Sequence, residues 1–278
     1  MSRTTAKKLV YAARKEGQAV GAFNVILLEH AQALVSGAEA AQLPVILQIS
    51  QNCVDYHGAL RPIALATLAI AEASAVDVSV HLDHAESESL IKEALDLGFD
   101  SVMFDGSQLD YAANVEASSR MAKLCNEYGA SIEVELGEVG GKDGVHAPGV
   151  RTNPEEADAF AIATGVDLLA VAVGTSHAMT TRNATLDFDL IETISKTVSV
   201  PLVLHGSSGV SDEDLQRAVR SGMSKINIAT HLNHIFTDEI RRLLIADTKL
   251  VDPRKYIKSA RSEVAKEVSH LLKILALI

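Results

Sequence analysis

Cysteine is nearly absent: Cys53 and Cys125 are the only two thiols, too few to build a disulfide framework. Basic charge is scarce too, with 25 Lys and Arg against 36 Asp and Glu for a formal charge of −11. No cationic footprint is therefore available for nucleic acid or for an anionic membrane surface. No apolar run reaches the roughly 18 residues that a membrane span needs, and the opening MSRTTAKKLV has no apolar signal core. Low-complexity tracts and short tandem repeats are missing as well. These absences predict a cytoplasmic protein with no nucleic-acid or membrane partner. An anionic ligand would have to be held locally, against the mean field of the chain.

What is present is a chain of 278 residues, 47% hydrophobic and 22% charged, the balance of an ordinary globular protein. Short β-branched runs alternate with segments of helical period throughout. The spacing predicts strands at Val20–Asn24, Val45–Ser50, Val78–Leu82, Ser101–Phe104, Ser131–Leu136, Leu168–Val173, Leu202–Leu204 and Lys225–Ile228. Between them, Ser87–Leu97, Asn114–Tyr128 and Asp212–Ser221 read as helices closed by Gly98, Gly129 and Gly222. Eight βα units without a long polar linker imply one α/β domain over residues 1–278, a (β/α)8 TIM barrel. Ala260–Leu275 is left over as an extra C-terminal helix, packed under the barrel or on a partner subunit, and its LLKILALI end looks exposed and fit for an interface. The longest segment without a clear element, Gly137–Asn153, is Gly-rich and reads as a functional loop.

Polar residues sit just beyond the C-terminal ends of these strands, where barrels place their chemistry. Asn24, Ser50, Asp83-His84, Asp105, Glu135, His177, His205, and Asn227 with Thr230 follow in strand order. A single histidine at such a place is usually a hydrogen-bonded structural residue. Three of them, His84, His177 and His205, supply the imidazoles that a catalytic divalent metal needs, with one position left open. Asp83 beside His84 suits proton transfer to or from a substrate hydroxyl, although it could equally serve a neighbouring backbone amide. Asp105 and Glu135 are further oxygen ligands for a second cation, or partners of the first ligands. His81 lies earlier in its strand and reads as a supporting or core residue, while His30, His57, His146, His231, His234 and His270 read as surface, loop or helix residues. Lysine is absent from every strand end, since Lys225 begins its strand, which argues against Schiff-base chemistry.

Two segments suit phosphate. Gly206, Ser207, Ser208 and Gly209 precede a helix, so backbone N–H groups can face an anion. Asn227–Thr230 opens the next helix, and barrels often hold phosphate between these two strand ends. Neutral backbone donors also answer the difficulty that the net charge poses.

HLDHAES, FDGS, EVELGEVGG, GTSH, PLVLHGSSG, KINIAT and DPRKY occur in the order and at the spacing of one family. From GAFNV to the last helix the chain resembles the class II, metal-dependent ketose-bisphosphate aldolases. The resemblance implies Zn2+ on His84, His177 and His205, with Asp83 as acid/base on the substrate C4 hydroxyl. It implies that Asp105 and Glu135 belong to alternative or second cation sites, divalent or monovalent. Gly206, Ser207, Ser208, Asn227, Ile228, Ala229 and Thr230 match the dihydroxyacetone phosphate site, Ser50 an aldehyde-side contact, and Asn24 a polar contact in the same mouth. Arg254 of DPRKY resembles an arginine that reaches the far phosphate from a neighbouring subunit, which implies a homodimer or homotetramer.

Two departures from the family pattern stand out. Ala178 follows the GTSH histidine where the family commonly has Gly close to the ketose phosphate, and Met179-Thr180-Thr181-Arg182 lacks a nearby Tyr or Glu for proton exchange. The resemblance thus implies a zinc-dependent lyase cleaving fructose or tagatose 1,6-bisphosphate to dihydroxyacetone phosphate and glyceraldehyde 3-phosphate. The alternatives are a related aldolase acting on another phosphorylated keto-sugar, such as 2-deoxy-5-keto-gluconate 6-phosphate, and a non-catalytic barrel subunit of an aldolase complex. Retention of Asp83 and all three histidines speaks against the last.

Overall fold

A computed structural model describes residues 3–136, 151–177, 179–182 and 184–278. Eight parallel strands close into a barrel: β1 (Val20–Asn24), β2 (Val45–Ser50), β3 (Val78–Ala85), β4 (Ser101–Phe104), β5 (Ser131–Leu136), β6 (Leu168–Val171), β7 (Leu202–Leu204) and β8 (Met223–Ile228). Each strand pairs with its neighbour in sequence, and β8 returns to β1. The predicted alternation of strands and helices holds, with three bounds moved. β3 continues to Ala85, β6 stops at Val171, and β8 starts at Met223, so Lys225 lies within its strand and not at its start.

The two faces of the sheet differ. Outward residues such as Leu47, Ile49, Val80, Leu82, Val134 and Val171 are buried between sheet and helices in the main apolar core. The inner face splits along its length. Val20, Ala22, Ile46, Leu168, Ala170 and Val203 form a second apolar cluster with Ala6, Leu9 and Val10 of the helix Ala6–Lys15. Gln48, His81, Asp83, Ser101, Glu133, Glu135, His205, Lys225 and Asn227 are buried and polar. Strands have a side-chain period of two, so pairs such as Glu133 and Glu135, or Lys225 and Asn227, share one face.

Helix starts follow capping chemistry: Ser87, Asp110, Asn153, Asp187, Ser211 and Asp252 each accept a backbone N–H in the first turn of the helix they open. The three expected terminal glycines all have positive φ. The C-terminal helix is longer than its pattern suggested, Pro253–Leu275, and it packs against the outer helices Leu28–Ala41 and Thr230–Ala246. Its apolar end is not an exposed face. Leu271, Leu272, Leu275 and Ala276 are buried, and of its apolar residues only Ile278 at the tip is exposed. Among the described residues no helix is long and apolar enough to cross a membrane.

Candidate active site

Asp83 and His84 are consecutive in β3, and the strand period should send them to opposite faces. A register shift of β3 against β4 between Leu82 and Ala85, together with a left-handed His84 (φ +48°), undoes that alternation. The left-handed region is costly for a residue with a β-carbon. Here it brings the His84 ring toward the barrel mouth while Asp83 keeps its inward place. Asp83 is buried, with Gln48 Nε2 at 3.4 Å and Asn227 Nδ2 at 3.5 Å from its two oxygens. Gln48 also donates to Asn24 Oδ1 at 2.7 Å.

Around His84 the other two predicted imidazoles converge. Ring centroids lie 4.6 Å apart for His84 and His205, 5.0 Å for His84 and His177, and 5.8 Å for His177 and His205, with each pair close to perpendicular. One ligand nitrogen from each of the three lies within 4.8 Å of the others. His84 Nδ1 is 2.7 Å from Asp105 Oδ2, where a carboxylate accepts its hydrogen, so Nε2 is the nitrogen that could hold a metal. Asp105 is held in turn by the Ser107 hydroxyl at 2.6 Å.

His84 Nε2 faces His205 Nδ1 at 2.9 Å. Nitrogen ligands on a tetrahedral zinc with bonds near 2.05 Å stand roughly 3.3 Å apart, so a small opening of this pair fits the ion. His84, Asp105 and Glu135 form a second group of ligand atoms within the same 4.8 Å limit, and both carboxylates are buried.

The Gly-Ser segment packs directly on the stretch that carries His177. Gly206 is left-handed (φ +67°), and a β-carbon there would stand 2.7 Å from the Ser176 carbonyl. Thr175 donates to the His205 carbonyl at 2.6 Å, and Ala184 N–H donates to the Gly209 carbonyl at 2.9 Å. Arg182 reaches the Val210 carbonyl and the Asp212 carboxylate. Ser207 and Ser208 are buried, and Ser208 Oγ accepts the Ala229 N–H at 3.2 Å, tying the turn to the end of β8. Both candidate phosphate segments therefore form one unit, with Thr230 opening the following helix and the Ile228 side chain turned into the outer core.

Of the other predicted residues, Ser50 is the register partner of Asp83 across β2 and β3. Ser50 caps the short helix Gln51–His57 by accepting Cys53 N–H, which leaves its hydroxyl hydrogen available to a ligand. Arg254 lies exposed at the start of the C-terminal helix, in a bidentate pair with Asp252 of its own chain. Ala178, His146 and most of the Gly137–Asn153 loop lie outside the described residues. His30, expected at the surface or on a helix, is on a helix but buried: its Nδ1 accepts Leu27 N–H at 3.0 Å and its ring lies 4.6 Å from Phe236. Burial lowers its pKa to about 4.

Sequence reasoning missed Gln48, Glu133 and Lys225. Lys225 is fully buried in the barrel, its ammonium 2.8 Å from Glu133 Oε2 and 2.8 Å from Asn227 Oδ1. The available signal was parity: Glu133 is two residues before Glu135 and Lys225 two before Asn227, and each such pair shares the inner face.

Comparison with known proteins gives the family and the fold. The sequence model of the family described as fructose-bisphosphate aldolase class-II matches residues 4–277. Among solved structures, the YdjI aldolase from Escherichia coli K12 is 28% identical with a TM-score of 0.86, the match covering 98% of this chain and 97% of that one. A candidate fructose-1,6-bisphosphate aldolase from Coccidioides immitis is 27% identical with a TM-score of 0.86, covering 98% and 96%. The fold is shared as well with the fructose-bisphosphate aldolase of Campylobacter jejuni, at 22% identity and a TM-score of 0.81, covering 100% of this chain and 96% of that one. The chain belongs to the class II fructose-bisphosphate aldolase family and is a carbon–carbon lyase.

Proposed function

We propose that this lyase is zinc-dependent and reversibly cleaves a ketose 1,6-bisphosphate, fructose or tagatose, into dihydroxyacetone phosphate and glyceraldehyde 3-phosphate. The observation that carries the reading is the buried Asp83 carboxylate next to three converging imidazoles. Zinc held by His84, His177 and His205 would supply Lewis acidity at the ketose oxygens. Asp83 takes the C4 hydroxyl proton as the C3–C4 bond breaks, so C4 leaves as an aldehyde and the bonding electron pair stays with the ketose half. Gln48 and Asn227, which flank Asp83, hold its oxygens in place. Backbone N–H groups of the Gly206–Gly209 turn and of Asn227–Thr230 suit the ketose phosphate, and Asn24 and Ser50 suit the sugar hydroxyls.

Asp105 and Glu135 belong to the same proposal as a second cation site. So do a single barrel domain over 1–278, a cytoplasmic location, and a homodimer or homotetramer in which Arg254 serves a neighbouring site. The exposure of Arg254 and of Ile245 and Val251 nearby in the sequence supports the assembly.

Retro-aldol assays on fructose and tagatose 1,6-bisphosphate and on other keto-sugar phosphates, with and without chelator, test the function. Cleavage of a bisphosphate that chelator abolishes and zinc restores is expected. Cleavage that survives metal removal would overturn the zinc reading, and exclusive turnover of a different keto-sugar phosphate would overturn the substrate. Asp83→Ala should retain zinc and lose at least about a hundredfold in kcat, the scale of general acid–base catalysis.

A further inference from the structure

Beneath the histidine cluster the barrel contains a buried charged column that the aldolase reaction scheme does not use. Glu133 and Lys225 have fully buried side chains and form an ion pair, with Nζ 2.8 Å from Oε2. The other carboxylate oxygen, Oε1, lies 2.8 Å from His205 Nε2. His81 completes the group: its Nε2 is 4.0 Å from Glu133 Oε2, and its Nδ1 is 2.8 Å from the Ser101 hydroxyl. A buried ion pair of this kind adds little to stability, since desolvation of both charges offsets their attraction. Its position directly under His205 points to another role.

We propose that Glu133, neutralised by Lys225, is a positioning residue that fixes which nitrogen of His205 coordinates the metal. The proposal rests on the zinc reading above. An ionised carboxylate only accepts hydrogen bonds, so a Glu133 oxygen at 2.8 Å requires the hydrogen of His205 on Nε2. The lone pair then stands on Nδ1, the atom that faces His84 Nε2.

Asn227 Nδ2 is a rival partner for His205 Nε2, at 3.4 Å. It loses on distance and on charge, because an unprotonated Nε2 would place a lone pair against a carboxylate. Lys225 also holds Asn227 Oδ1 at 2.8 Å, which turns the Asn227 amide nitrogen toward Asp83 and His205. One lysine therefore orients a group on each side of the proposed chemistry. Asp105 does for His84, from the opposite ring nitrogen, what Glu133 does for His205. With Nδ1 of one ring and Nε2 of the other tied down, the remaining two nitrogens, which face each other at 2.9 Å, are the ones that would take the ion. Groups that orient a metal-bound histidine in this way typically change metal affinity by about 10–100-fold.

The test uses the full chain labelled with 15N-histidine, and long-range 1H–15N spectra that report the tautomer of each ring. His205→Gln identifies the His205 signals. The proposal expects the Nε2–H form both before and after zinc is added, with zinc shifting the Nδ1 resonance; an Nδ1–H form in the wild-type chain overturns it. Zinc affinity by competition with a chromophoric chelator then compares wild type with the double variant Glu133→Leu, Lys225→Met, which removes both charges at once and leaves none unpaired. A 10–100-fold loss of affinity in the folded variant is expected, and affinity within twofold of wild type overturns the proposal. The wild-type tautomer decides even where the double variant fails to fold. Failure of the zinc reading itself has a separate signature: zinc then shifts none of the His84, His177 or His205 signals in the wild-type chain.

Discussion

His84 shows how much a single backbone torsion contributes to this site. Its positive φ places two consecutive side chains, Asp83 and His84, in one mouth where regular pleating allows one. Residue types at strand ends were enough to nominate Asp83, His84, His177 and His205 from sequence. The torsion was not legible, because His-Leu-Asp-His contains no glycine or other mark of a left-handed position. Glu133 and Lys225 were legible in principle through parity, yet charged residues inside an apolar run are easily read as strand ends.

His30 offers a residue-scale prediction of another kind. Its pKa is lowered to about 4 by burial, against an ordinary value near 6.5. As pH falls the unfolded chain takes up this proton first, so stability is complete above about pH 6.5 and is lost on the way down to about 4. His30→Gln keeps an acceptor for Leu27 N–H, as glutamine does at the third position of a capping box. Urea unfolding at pH 7 and pH 4.5 should show the variant losing about 2 kcal/mol less than wild type over that interval. Equal losses would mean that His30 charges freely in the folded protein.

Among the elements, the helices Leu28–Ala41 and Pro253–Leu275 pack at unusually close range. Gly37 is the reason: a β-carbon on it would stand 2.5 Å from the Ala265 carbonyl and 2.7 Å from Val268 Cβ. Alanine is the better helix former by about 1 kcal/mol, but overpacking costs typically 1–3 kcal/mol. Gly37→Ala should therefore be net destabilising by about 1 kcal/mol in urea unfolding, and a stabilised variant would show that the helices separate easily.

This contact also explains how the last helix was misjudged. The apolar period of Ala260–Leu275 revealed a helix, and LLKILALI looked exposed because the sequence holds no sign of which helix receives it. The notch that receives the middle of this helix, at Ala265 and Val268, is one glycine more than two hundred residues earlier. Strand bounds were better determined, since β-branched runs flanked by turn residues are local signals; β3 ran longer because its final residues are polar and chemical in character.

For the molecule as a whole, metal and fold should be linked. A ligand bound only by the folded state stabilises by about 2.7 kcal/mol when present at a hundred times its dissociation constant, and in chains of this size each kcal/mol moves Tm by roughly 2–4 °C. Zinc at that excess should raise Tm of the metal-free protein by about 5–10 °C, measured by scanning calorimetry, and His177→Ala should remove most of the rise. An equal rise in the variant would place the stabilising ion elsewhere.

The net charge of −11 acts at this scale too. On the proposed reading it would leave phosphate recognition to backbone N–H groups and a bound cation, and it would repel an anionic sugar during approach.

The helix Ala6–Lys15 makes the barrel a cup with one rim. Ala6, Leu9 and Val10 stopper its floor, while Lys7 and Arg14 fasten the stopper to Asp167 and to the Ser199 carbonyl. On the proposed reading, substrate would enter and both halves of the cleaved sugar would leave by the same opening. The floor also keeps solvent away from the Glu133–Lys225 pair on its far side. A leak at the base would reach His205 through that pair, so damage at the end of the barrel remote from the proposed chemistry would register there.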